Sequence, residues 1–374
     1  MVFTGKTIAV IGGGRWSRVH ISVLEDLLDA TSRILWITDH GHDKNLDYLA
    51  QKNYAKTSVK RYIDDIEGIK IDGLIVATRS HTHEKYLRYA LEKKIPALIE
   101  KPFALSASSA SEFVAQAEDN NISIGSNLEF LYASYLQDFK SLCSSINIKT
   151  IECFWHDPFS ETRYGETKYS DICTPIAFDQ AMHIWSLLHV LGYSTALNVE
   201  DVQYRENSEI LISARHDDVI IKLSLFRRAQ EKQRKIVIND NELVLDFAPE
   251  PGTITTKDKS VIHNQWRNHR PMSASLSAFL KSIDKADDDW PAALRHIYPA
   301  IPFCEEIDIL LQEQYQKRLS KIKREGQLRA DNQQARALII DMFAPQYIAK
   351  GERVRAFTEK EQTEFADLII RNAL

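Results

Sequence analysis

Short apolar runs at 7–11, 34–38, 74–77, 96–99 and 122–124 punctuate the first third of the chain. The stretches between them have helical spacing; after the first run, Val19, Val23, Leu24, Leu27 and Leu28 recur as a helix requires. Apolar strands alternating with amphipathic helices predict a parallel sheet covered by helices on both faces. Ser106 stands where the helix carrying "ASEFVAQAEDN" needs an N-cap. Near residue 127 the pattern changes. After one more helical stretch come "TIECFW", "LISARH", "VIIKLSLF", "KIVIND" and "ELVLDF", several of which alternate polar with apolar. That period suits an antiparallel sheet with one covered face. "HDD" at 216–218 and "NDN" at 239–241 supply hairpin turns. Helical spacing returns from about Ser273, and "TEKE" at 358–361 has capping-box spacing before the stripe Phe365, Leu368, Ile369. The pattern predicts a parallel α/β domain over 1–126, an α+β domain with a mostly antiparallel sheet over 127–325, and a helical extension over 326–374.

A chain of 374 residues is long enough for two such cores. Its net charge of -5 speaks against a nucleic-acid or membrane surface as the main partner. The basic cluster "RRAQEKQRK" at 227–235 reads as a solvated connection between strands. No apolar run approaches the roughly 18–20 residues of a membrane helix, and "KTIAVIGGG" enters a strand at once instead of forming a signal peptide. Cys143, Cys153, Cys173 and Cys304 lie far apart, with no metal-ligand spacing, which predicts reduced thiols in a cytoplasmic protein and no metal site.

"VIGGGRWSRVH" follows the first strand and opens a helix. Gly12 allows the tight turn, and Gly14 allows backbone to approach a pyrophosphate at the helix N-terminus. Ser17 takes the third small position. Asp39, 22 residues beyond Ser17, stands near the spacing at which an acid binds ribose hydroxyls. An acid there repels a 2′-phosphate, favouring NAD over NADP, although His40, His42 and Lys44 follow it. A glycine-rich turn beside an unrelated acid is the competing reading. Strand, loop, helix, second strand and acid in order favour a Rossmann domain.

Two further stretches carry candidate chemistry. In "ALIEKPFALS" a charge pair and a proline end an apolar strand, where α/β folds open toward their ligands. Alone, that is equally an ordinary surface turn. In "CTPIAFDQAMHIWSLLHVLG", Thr174 can cap a helix, Pro175 suits its first turn and Gly192 can end it. Asp179, His183 and Ser186 share a face of this otherwise apolar helix. They line a polar pocket, or they form a His–Asp pair satisfied in the core.

"GLIVATRSHTHEKYLRYALEKKIPALIEKPFALS" at 73–106, the glycine loop and "DQAMH" together resemble the glucose–fructose oxidoreductase, inositol dehydrogenase and rhizopine-catabolism family, Gfo/Idh/MocA. The resemblance runs from about residue 5 to 320. It implies a cofactor site of Gly12, Gly14, Arg15, Trp16, Asp39, Thr78, Ser80, His83, Glu100 and Lys101, with NAD as cofactor and NADP as the variant. It implies that Lys101 hydrogen-bonds the reacting oxygen, that His183 is the general acid/base and that Asp179 orients or tunes it. The chain departs from the family's usual pattern at Arg79, at Glu129 and in "SDICTPIAF". In the polar segment 156–171, Arg163, Tyr164, Lys168 and Tyr169 are candidates to bind a carboxylate or phosphate on a sugar; a solvated loop or a dimer contact is the alternative. The resemblance implies a dehydrogenase or reductase acting on a secondary alcohol or ketone of a sugar, polyol or sugar derivative, in a homo-oligomer (dimer or tetramer). The alternative from another class is a dinucleotide-bound regulator or scaffold without turnover.

Overall fold

The computed structural model describes residues 2–163, 166–267, 269–284, 289–354 and 357–373. They form two compact units: one holds the chain up to Ser134 together with Arg267–Ile301, the other Tyr135–Trp266 together with Pro302 onward.

The first unit is built on six parallel strands: β1 (Thr7–Ile11), β2 (Arg33–Ile37), β3 (Thr57–Lys60), β4 (Gly73–Val76), β5 (Ala97–Glu100) and β6 (Ile124–Asn127). Their order is β3-β2-β1-β4-β5-β6, the doubly wound order of a Rossmann sheet, as expected. Helices α1 (Arg15–Leu27), α2 (His42–Lys52), α3 (His83–Glu92) and α4 (Ala107–Asp119) connect the strands. Ser106 caps α4 as expected, its hydroxyl accepting from Ser109 N at 3.2 Å. β1, β4 and β5 are buried throughout, which is why they read as unbroken apolar runs. The buried stripe of α1 is Ser17, His20, Ile21, Leu24 and Leu27; Val19 and Val23, expected on that stripe, are half-exposed.

The division expected at 126 and 325 differs from these compact units. After a long excursion the chain returns to the first unit as the helix Pro271–Asp284, which packs against α1 and buries Leu276, Phe279 and Leu280. Trp290 to Ala293 then run beside β6, with Ser126 N donating to Ala292 O at 2.9 Å.

The second unit has an eight-stranded sheet. Its strands include β7 (Thr150–Pro158), β10 (Asn198–Tyr204), β11 (Ile210–His216), β12 (Val219–Ala229), β13 (Gln233–Ile238), β14 (Leu243–Asp246), β15 (Thr253–Thr256) and β16 (Val261–His263). The order is β10-β11-β12-β7-β13-β14-β15-β16, and every pairing is antiparallel except β12 with β7. Strands β8 (Ser160–Arg163) and β9 (Glu166–Tyr169) form a separate hairpin. The turns at Asp217 and at Asn239–Asn241 have positive φ, as hairpin turns require. The residues expected as a separate extension belong to this unit. Helices Gln333–Ala349 and Glu359–Ala373 share a buried cluster with Ile172, formed by Ile339, Ile340, Ile348, Phe365 and Ile369. The capping box is present: Glu361 N donates to Thr358 Oγ1 at 3.2 Å and Thr358 N to Glu361 Oε2 at 2.8 Å.

The cluster 227–235 is not a solvated connection. β12 and β13 take up most of it, and Arg227, Arg228 and Arg234 are drawn inward by acids: Asp179 at 3.3 Å, Asp341 at 3.0 Å and Asp157 at 2.6 Å respectively. Sequence spacing shows the cations but not the acids that arrive from distant segments.

Candidate functional site

In the first unit the glycine loop joins β1 to α1. Gly12 has φ +138°, and a Cβ there would meet Ala77 O at 2.3 Å; one on Gly13 would meet His40 O at 2.2 Å. Trp36 Nε1 donates to Gly12 O at 2.7 Å, and Asn45 Nδ2 reaches Gly13 O and Thr38 Oγ1. The loop is thus clamped against the ends of β2 and β4. Gly14 differs: nothing lies within 4 Å of its would-be Cβ. It is the N-cap of α1, with no side-chain cap and no acid in the first turn. A helix start with free N–H groups, positive dipole end and open backbone fits a pyrophosphate. Arg15 and Trp16 follow in that first turn, half-exposed, the guanidinium 5.4 Å from the indole centroid. Asp39 is exposed just beyond β2 and acts electrostatically on Tyr86. These residues fit a dinucleotide.

The ends of β4 and β5 carry the second group. Thr78 follows β4, and its Oγ1 accepts from Thr82 Oγ1 at 2.8 Å; Ser80 is buried in the next turn. His83 is wholly enclosed, with Nδ1 2.7 Å from Pro102 O and Nε2 3.1 Å from Thr78 O. It therefore ties the two loops together from inside. Burial lowers its pKa; the two carbonyls and Glu100 oppose that shift without cancelling it. Lys101 is half-buried directly after β5, and its bond to Pro102 is cis. Glu100 is buried, accepting from His20 Nε2 at 2.7 Å and Asn127 Nδ2 at 2.8 Å. Burial alone would raise its pKa, but His20, Asn127 and Lys101 bring it below the usual carboxylate range.

The second unit places His183 at the start of the helix α5 (Met182–Leu191), directly after a π-helical turn over Ala177–Ala181 that contains Asp179. The His183 ring stacks on Trp155 of β7, centroids 4.5 Å apart and 10° from parallel. The Arg234 guanidinium lies 3.8 Å from the same indole centroid. Asp179 pairs with Arg227, whose guanidinium also donates to Thr174 O. Thr174 does not cap the helix with its hydroxyl, which donates to Asp171 at 2.7 Å. Gly192 ends the helix in the left-handed conformation as expected. Ser186 is wholly buried and its hydroxyl bonds back to His183 O at 2.6 Å, so it belongs to the packing of the helix. Lys168 on β9 faces Glu161 at 3.4 Å. Arg163 ends β8; its side chain, and Tyr164, lie outside the described residues.

His20, Asn127 and Ser275 were not singled out from sequence. For His20 a signal existed: it occupies a core position on the stripe 17, 20, 21, 24, 27, where a polar side chain needs a partner. Asn127 and Ser275 carried none. Among the described residues no cluster could hold a metal ion, and no helix is long and apolar enough to cross a membrane.

Residues 6–127 match the model of the Gfo/Idh/MocA oxidoreductase family, NAD-binding Rossmann fold. A glucose-6-phosphate 3-dehydrogenase of Bacillus subtilis is 27% identical over 139 residues, 37% of this chain and 37% of that protein. An inositol 2-dehydrogenase of Mycolicibacterium gilvum is 27% identical over 116 residues, 31% of this chain and 33% of that protein. The chain thus matches little more than a third of the length of these curated relatives. A UDP-N-acetylglucosamine 3-dehydrogenase structure from Acidithiobacillus ferrooxidans superposes with TM-score 0.64 at 14% identity, covering 84% of this chain and 99% of that one. That likeness shows the fold.

Proposed function

We propose, from the match of residues 6–127 to the model of the Gfo/Idh/MocA oxidoreductase family, that the chain is an NAD(P)-dependent dehydrogenase or reductase of a sugar, polyol or sugar derivative. The observation that carries this reading is the glycine loop: it is clamped on one side, open at Gly14, and leads into an uncapped helix start. A dinucleotide bound there supplies the acceptor or donor of hydride. The chain supplies binding, orientation and proton handling. Gly12, Gly14, Arg15 and Trp16 hold the pyrophosphate turn. Asp39 takes the ribose hydroxyls, which favours NAD. Thr78 and Ser80 line the following loop, held in place by His83.

In this reading the ammonium group of Lys101 donates to the reacting oxygen, whose negative charge grows as the C–H bond breaks. His183 takes the hydroxyl proton or returns it, a role suited to the imidazole group, whose unperturbed pKa lies near neutrality. Its stack on Trp155 fixes the ring, and Asp179 tunes it from the preceding turn. Lys168, with Arg163 and Tyr164, is the proposed contact for an anionic substituent. The named activities of the relatives, on a sugar phosphate and on inositol, support the substrate class. A cytoplasmic homo-oligomer completes the proposal.

The test is nicotinamide absorbance change with NAD and NADP, in both directions, across polyols, sugars, sugar phosphates and nucleotide sugars. Turnover by the wild type and a loss of at least about 100-fold in Lys101→Ala are expected. Tight dinucleotide binding with no turnover on any compound would favour a regulator without catalysis.

A further inference from the structure

The middle glycine of the loop, Gly13, is covered by a different segment from the one that closes Gly12. A Cβ on it would run into His40 O and the Thr38 hydroxyl, so the turn after β2 lies directly on the glycine-loop backbone. Only glycine admits that approach. Asp39 is the residue between those two contacts.

Hydrogen bonds hold the turn in this place. Thr38 N donates to Lys60 O at the end of β3 at 2.9 Å. Thr38 Oγ1 donates to His40 O at 2.8 Å and so closes a ring around the Asp39 backbone. Asn45 of α2, itself buried, donates from Nδ2 to Thr38 Oγ1 at 3.1 Å and to Gly13 O at 3.3 Å. Both of those oxygens need a donor, because a carbonyl has no proton and the Thr38 proton is already given to His40 O. The amide must therefore turn its nitrogen toward them. That leaves Asn45 Oδ1 buried with no hydrogen-bond partner among the described residues. A buried amide oxygen without a partner opposes folding. Asn45 is thus a poor choice for packing alone and a good one for joining two loops.

We propose that Thr38 and Asn45 are positioning residues for cofactor selectivity: they latch the Asp39 backbone onto Gly13 and so fix the acid relative to the pyrophosphate turn. There it accepts from the ribose hydroxyls and repels a 2′-phosphate. An acid on a free turn swings away from an added phosphate and discriminates little, whereas one on a latched turn must meet it. The proposal rests on the reading that Asp39 takes the ribose hydroxyls, and its test needs no substrate.

Dissociation constants of NADH and NADPH are measured on the full-length protein at one ionic strength, by energy transfer from tryptophan to the reduced nicotinamide. Wild type is expected to bind NADH at least about tenfold more tightly than NADPH, since like charges brought together are strongly unfavourable. Thr38→Val keeps the shape and removes the hydroxyl; it and Asn45→Leu are expected to lower that ratio at least about threefold, the scale of one hydrogen bond. Thr38→Ser retains the hydroxyl and is expected to retain the ratio. A purely structural loss weakens both dinucleotides alike and leaves the ratio where it was. An unchanged ratio in the isosteric Thr38→Val therefore overturns the latch, even where Asn45→Leu fails to fold. Asp39→Asn, measured beside them, tests the underlying reading. A ratio lost there and kept in Thr38→Val removes the latch and leaves that reading standing. A ratio kept in Asp39→Asn, or a wild type without preference for NADH, overturns both.

Discussion

At the scale of single residues, the first unit separates groups that face a ligand from groups that hold them. His83 has the sequence position of a cofactor contact, yet the structure encloses it between Pro102 O and Thr78 O. A neutral imidazole donates to one of these carbonyls only, and a charged one is opposed by burial. A histidine whose pKa is depressed by folding binds its proton more readily in the unfolded chain. Stability is therefore complete above about pH 6.5 and falls as pH drops below it, by up to about 1.4 kcal/mol per pH unit from this residue. Glu100 acts in the same direction, but below the ordinary carboxylate range. Between pH 5 and 7, His156, also lowered by burial, adds to the loss, and Asp308, which burial raises to about 6, opposes it, so the share of His83 is the difference between wild type and a His83 variant. Urea midpoints across that window should fall with decreasing pH in the wild type. They should fall less steeply in His83→Gln, and equal slopes in the two proteins would refute this account.

At the scale of elements, the turn before α5 decides how Asp179 and His183 are presented. An i,i+4 pair in a regular helix shares a face. Here the π-helical turn over Ala177–Ala181 intervenes, with Asp179 paired to Arg227 and His183 stacked on Trp155. Replacing Trp155 by Leu removes the flat surface under the ring while keeping an apolar side chain. With a substrate in hand, kcat is expected to fall about 10- to 100-fold while dinucleotide affinity stays unchanged, and Trp155→Phe should recover most of the loss. A Leu variant with wild-type kcat would show that the stack is packing alone. The elements also show what the sequence could and could not convey. β1, β4 and β5 were legible because a strand buried on both faces is apolar along nearly all of its length, with polar residues here only at one end, Thr7 and Glu100. β3, "TSVK", has one aliphatic residue and was missed, and β16 is exposed throughout, so neither shows a period. The glycine loop and Lys101 were legible because local chemistry marks them. The contacts behind the neighbouring Glu100, from Asn127 to its carboxylate and from Ser275 to Asn127, come from remote segments, and no local spacing encodes them.

At the scale of the molecule, the chain does not build its units in order. Its first unit is completed by Arg267–Ile301, and its second by everything after that. The last fifty residues look like an appendage in sequence because they carry their own capping-box spacing at 358–361 and an apolar stripe behind it. In the structure they cover Ile172 and supply Asp341, nearly buried, to both Arg228 nitrogen–oxygen contacts at 3.0 Å. Removing one member of such a buried pair costs about 3–5 kcal/mol, because the other charge is left uncompensated. Losing the burial of Ile339, Ile340, Ile348, Phe365 and Ile369 would remove about 1.5–3 kcal/mol for each side chain. Either loss rivals the roughly 5–15 kcal/mol net stability of a domain. A chain ending at residue 326 should therefore be poorly soluble, and the milder Asp341→Asn should lower the thermal midpoint of the full-length protein by several degrees. If the shortened chain instead unfolds at the wild-type midpoint, the helices are a removable appendage and the cluster around Ile172 contributes little to the second unit.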